Sequence, residues 1–210
     1  MKMEAVFDST RKYRYLLFRE WDPSLPRMLY VMLNPSTASQ IEEDQTSKQC
    51  LHFAKKFGFG SLEVVNLYAI ISTDPNQLKN MLKPIGDEND NFILEAASRA
   101  KTIVVAWGEK HFINQRHNKV ARLLTSAGHQ LHCLGIAKSG HSRHPSRMNH
   151  RIESLTLYST NDYLRKLHAP QKVITLVPTV VNSKLKSGEG YDPVTGSDYV
   201  FHKDVMKKEE

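Results

Sequence analysis

Four short polar clusters in this 210-residue chain carry side chains that can do chemistry. They are Asn34-Pro35-Ser36, Asn66 with Tyr68, Trp107-Gly108, and His144-Pro145-Ser146. Asn34 offers an amide with two donor hydrogens and an acceptor oxygen, on a loop that Pro35 stiffens by fixing φ. An amide is no base at neutral pH, but its oxygen can orient a water. The imidazole of His144, held in a loop ahead of a helix start, can donate to an oxygen that becomes anionic. Arg143, Arg147 and Arg151 surround it. With Ser142 and Ser146 they form a phosphate-contact candidate at a helix N-terminus, the alternative being a solvated basic loop. Tyr68 and Trp107 can serve as stacking platforms or fill the core. His141 and His144 lie three apart, but no spaced Cys or acidic partner accompanies them, and no metal is expected.

Each cluster ends an apolar run, and these runs must position it. Leu29-Tyr30-Val31-Met32-Leu33 suits a buried strand and stops at Asn34-Pro35. Leu62–Leu67, Thr102–Ala106 and Gln130–Leu134 read as three further strands, all running into polar loops. Helical patterns alternate with them. Asp44 can cap a helix whose Cys50, Leu51, Phe53, Ala54 and Phe57 share one face, ended by Gly58 and Gly60. Asp74-Pro75 reads as another helix start. Helices are expected over about Asp87–Arg99, Phe112–Ser126 and Asn149–Tyr158, the last capped by Asn149. Arg11–Trp21 reads as an early edge strand with a basic face, either solvated or turned to phosphate.

This alternation argues for an α/β fold, a three-layer sandwich with a central, mostly parallel sheet. In such a sheet the carboxyl ends of the strands share one crevice, so the four clusters should converge there. The expected domain covers residues 1–158, followed by a linker at 159–172. Residues 173–210 read as an appended C-terminal β arm and frayed tail, with a strand-like Val173–Val181 and a hairpin over Tyr191–Phe201.

Composition fits a globular protein with a real core, 40% hydrophobic and 24% charged. No run reaches the length of a membrane span, and the start of the chain carries no signal-peptide pattern. Cys50 and Cys133 fall in expected core elements and exclude a four-cysteine zinc or iron–sulfur site within the chain. We read a cytoplasmic protein without a cofactor. Its net charge of +7 permits a polyanionic partner.

Across about residues 11–150 the chain resembles the bacterial and phage domain-of-unknown-function family 1643, through LNPSTA, DQT, NLYAIISTDP, GDEND, AWG and GHSRHP. More remotely, the strand tips resemble the motifs of the uracil-DNA glycosylase superfamily. Leu33-Asn34-Pro35 is similar to its first motif, Val65-Asn66 to its base-reading strand, Ala106-Trp107-Gly108 to a later strand end, and His144-Pro145-Ser146 to its second motif. The pattern departs at Met32, where a glycine is usual, and at Ser36, where the mismatch-specific branch favours glycine.

That resemblance implies a nucleobase-processing N-glycosidase-like protein acting on DNA, RNA or a nucleotide. The alternative is a non-catalytic nucleic-acid or nucleotide-binding protein of the same fold. Glycosidic cleavage needs a positioned water and stabilised charge on the leaving base. The implied catalytic residues are Asn34 for the water and His144 for the charge, with Asp44 as an assisting base. Asn66, Tyr68 and Trp107 would bind the base. Ser36, Arg143, Ser146 and Arg147 would hold phosphate. Met148, two residues past Ser146, would be an apolar wedge for opening a base step, or else a core-filling staple.

Overall fold

Successive side chains from Met28 to Leu33 enter two different apolar clusters. Met28, Tyr30 and Met32 join one; Leu29, Val31 and Leu33 join the other. A strand sends alternate residues to opposite faces, so an unbroken apolar run is what a doubly covered strand requires. In the computed structural model this run lies in β3 (Arg27–Met32). It pairs in parallel with β4 (Ser61–Asn66) on one side and β5 (Thr102–Val105) on the other. β6 (Leu131–Cys133) continues in parallel beyond β5. The structure describes residues 1–36, 44–109, 112–161, 188–192 and 197–201, without the side chains of Arg147 and of 188–201.

Three antiparallel strands complete the sheet: β1 (Lys2–Phe7), β2 (Arg14–Glu20) and β7 (Thr156–Leu157). The order is β1-β2-β4-β3-β5-β6-β7. The sheet is therefore mixed, with a parallel centre and antiparallel flanks, rather than mostly parallel. Helix α1 (Gln45–Lys56) lays Cys50, Phe53 and Ala54 on the cluster that holds Tyr30. Helices α2 (Asn89–Arg99) and α3 (Arg116–Ser126) pack Ile93, Ala96, Val120 and Leu124 on the other cluster. A 3-10 turn over Pro75–Asn80 starts at Asp74, whose carboxylate accepts from the Asn76 N–H at 2.9 Å.

Two expectations are corrected by pairing. The Arg11–Trp21 stretch is not an edge strand, because β1 covers it. Arg14 and Arg19 are consequently 6% and 1% exposed, and the Arg19 guanidinium donates to the Phe18 carbonyl at 2.9 Å. The helix expected over Asn149–Tyr158 does not form. Asn149 instead accepts from the Arg151 N–H, and the chain extends into β7, where the Tyr158 N–H donates to the Leu131 carbonyl at 2.8 Å. β6 would otherwise present an unpaired edge, and pairing satisfies those backbone groups. The start of α3 also moves from Phe112 to Arg116, behind Asn114 and Gln115 at positive φ.

The winding places the crevice. The chain passes from β3 through α1 to β4, then returns across β3 to β5 and β6. Its direction reverses between β3 and β5, and connections leaving a sheet on opposite sides at such a point leave a gap beyond the strand ends.

The chain divides into two units, 1–171 and 172–210. In the second, β8 (Gly188–Asp192) and β9 (Ser197–Phe201) form an antiparallel hairpin. Val173–Val181, residues 162–172 of the expected linker and the tail lie outside the described residues. Among those described, no helix is long and apolar enough to cross a membrane.

Candidate functional site

A cleft of about 820 Å3 opens beyond the carboxyl ends of β3, β4 and β5. Asn34, Asn66 and His144, which lie on three separate segments of the chain, all line it. The Asn34 side chain is held at its nitrogen end. Nδ2 donates to the Ser72 carbonyl at 2.8 Å and to the Pro35 carbonyl at 3.0 Å. Two carbonyls at one end identify that end as the donor, so the amide orientation is settled by its partners. Both donor hydrogens are used, and Oδ1 has no partner among the described residues. What remains is a fixed acceptor in a polar cleft.

Asn66 is the reverse case. It is 2% exposed, and its buried Nδ2 makes no hydrogen bond. Its backbone is anchored, since its carbonyl accepts from the Asn89 amide at 2.9 Å. Leaving a buried amide donor unpaired costs about 1–3 kcal/mol, so an unmatched one facing a cleft is a place for a ligand acceptor. Trp107 repeats the pattern. It lines the cleft at 1% exposure, and its Nε1–H is buried and unbonded. Tyr158 and His117 pack edge-on against the ring, so in this conformation Trp107 contributes a donor rather than an open stacking face. Gly108 follows at φ +84°, a left-handed turn in which a side chain would be strained, and brings the His144 loop close.

His144 precedes the second 3-10 turn, Pro145–Arg147, and caps it. The Ser146 N–H donates to Nδ1 at 3.4 Å, and the Ser146 hydroxyl lies 2.9 Å from the same nitrogen. A backbone N–H can only donate, so Nδ1 is the acceptor and the neutral ring carries its proton on Nε2. Ser146 is thereby engaged in positioning His144.

Asp44 has little capacity to act as a base. Oδ1 accepts from the Ser47 N–H at 2.7 Å as the N-cap of α1, and Oδ2 accepts from the Ser36 hydroxyl at 2.7 Å. Burial alone would push its pKa up. The hydrogen bonds from Ser47 and Ser36, with the charge of Arg14, outweigh burial and hold it below 3.8. A lowered pKa in the folded state means stabilisation at neutral pH that is lost as pH falls through that value. Asp44→Ala should therefore lower stability in urea unfolding by about 1 kcal/mol at pH 7. The deficit should shrink only below pH 3.8. An undiminished deficit at pH 2 would contradict the capping role. Ser36, spent on a carboxylate, is poorly placed for phosphate.

Arg143 is exposed on the rim of the cleft, and its guanidinium has no ion-pair partner among the described residues. The Arg147 side chain lies outside the described residues, and Arg151 is exposed away from the lining. Ser142 is fully buried. Met148 lines the cleft but packs against the cluster of Met32, Cys50 and Phe53. Tyr68 is not in the cleft. It is fully buried in the opposite cluster, and its hydroxyl accepts from the Ile113 N–H at 2.6 Å. β4 ends at Asn66, and Tyr68 lies beyond it, where its backbone N–H donates to the Leu33 carbonyl at 3.0 Å.

Several lining residues escaped sequence reasoning. Lys138 stands at the tip of a tight loop closed by the Ala137 N–H to His141 carbonyl bond at 2.8 Å. Glu109 accepts from the Ser139 hydroxyl at 2.6 Å. Arg14 comes from β2, and only the basic face noted on that stretch hinted at it. Among the described residues no group of three or more His, Cys, Asp or Glu could hold a metal ion.

The protein is an α/β protein with one mixed sheet, whose parallel strand ends frame a donor-rich, partly basic cleft. The family model described as a protein of unknown function, DUF1643, matches residues 14–146, and the chain belongs to this family. The matched span runs from Arg14 to Ser146 and so includes Asn34, Asn66, Trp107 and His144. No curated protein and no solved structure matches the chain.

Proposed function

We propose that the cleft processes a nucleobase in the manner of an N-glycosidase, on DNA, RNA or a nucleotide. The observation that carries this reading is the Asn34 amide, clamped by two carbonyls so that its one open group is a fixed acceptor for water. The unpaired Asn66 amide supports base recognition, and an Nε2–H on His144 supports stabilisation of an anionic leaving base. Helices on both faces of the sheet support a three-layer arrangement like that of the uracil-DNA glycosylases. The test is incubation with damaged, modified and normal oligonucleotides and nucleotides, scored for released base. Release from at least one substrate, abolished by His144→Ala, is the expected result. No release from any of them would remove the hydrolytic reading.

One observation favours a second reading. With both Asp44 oxygens engaged, no carboxylate is left poised as a base in the described lining beyond Glu109, which is exposed. A non-catalytic nucleotide-binding protein would keep the cleft and show binding without turnover.

A further inference from the structure

Resting on the nucleobase reading above, we propose that the cleft takes its nucleotide unpaired, as a free mononucleotide or a single-stranded segment, and does not extract it from a duplex. Extraction requires a group that enters the base stack and fills the gap. Met148 occupies the position for such a wedge, yet it is drawn inward. It packs on the cluster under α1, and its Cε lies 3.5 Å from where a side chain on Gly135 would begin. Its backbone is tied down as well, with the Met148 N–H donating to the Pro145 carbonyl at 2.9 Å. The described large hydrophobics that are exposed, Leu82 at 97% foremost, are not among the residues lining the cleft.

Charge points the same way. Lys138 and Arg143 are the cleft cations that make no ion pair among the described residues. Among the described residues, these two groups, with Arg14 turned to Asp44, match one or two phosphates, whereas duplex-binding proteins commonly neutralise about 6–10. The Asn66 amide, buried and unbonded at depth, needs a base whose hydrogen-bonding edge is already free.

The experiment measures affinity of the full chain for mononucleotides, a single-stranded oligonucleotide and the duplex of the same sequence. Salt is varied from about 50 to 200 mM. The single strand should bind with a log–log salt slope of about −1.4, a loss of about 7-fold across that range. Lys138→Ala and Arg143→Ala should each bring the slope to about −0.7. The duplex should bind at least about 10-fold more weakly, and Met148→Ala and Leu82→Ser should leave the duplex-to-single-strand ratio unchanged. A duplex bound as tightly as the single strand, or a duplex affinity selectively lost in either variant, would overturn the proposal. Base release confined to duplex substrate overturns it while leaving the N-glycosidase reading intact. Nucleotide binding without release has the opposite meaning, and no binding of any probe overturns both.

Discussion

Replacing Asn34 by alanine is expected to slow base release by about 100-fold while leaving nucleotide affinity nearly unchanged, the pattern of a group acting in the transition state. The argument is geometric. The amide reaches both the Pro35 and Ser72 carbonyls with Nδ2, so Oδ1 is aimed without further cost at the moment of reaction. Alanine removes the acceptor and also frees the two carbonyls. Each lost hydrogen bond is worth about 0.5–1.5 kcal/mol, so a modest fall in stability should accompany the kinetic loss. Single-turnover rates measured well below the melting temperature separate the two. Asn34→Asp supplies a true base but cannot donate to either carbonyl, so it should be less stable than the parent. Faster release in that variant would support water activation at this position. Unchanged turnover in Asn34→Ala would reduce Asn34 to a residue that joins two loops.

Asn66→Leu is expected to weaken nucleotide binding by about 10- to 100-fold without lowering the melting temperature. A buried polar side chain normally stabilises the fold through its partners, and its removal is costly. The Asn66 amide has a buried Nδ2 with no partner, so the folded protein carries its desolvation cost unrelieved. Replacing it with an apolar side chain of similar size removes that cost and the ligand contact together. Stability held for a site in this way is a trade against function. Calorimetric binding and thermal unfolding of the same variant give the answer. A melting temperature that falls, with affinity unchanged, would make Asn66 a structural residue.

Local features of this chain are legible in the order of its residues. The β3 run and its abrupt polar stop, the Asp44 and Asp74-Pro75 caps, and the polar ends of β4 and β5 all depend on a few neighbouring residues. Strand alternation, proline geometry and capping act over one to four positions, so the local sequence suffices to place them. Convergence of Asn34, Asn66 and His144 on one cleft also follows, because parallel strands bring their carboxyl ends to one edge.

The rest is decided by partners far away in the chain. Asn34 is oriented by Ser72, 38 positions on, and Asp44 loses its freedom to Ser36, 8 positions back. Arg14 turns from an edge residue into a cleft residue because β1 pairs outside it. Ile152 and Leu155 keep helix-like spacing, yet the segment ends in a strand because β6 needs a neighbour. Apolar periodicity states which residues must be buried. It does not state which backbone groups will still lack partners once the sheet is assembled. Those unmet hydrogen bonds choose between helix and strand and between open and engaged side chains, and they exist only in the tertiary structure.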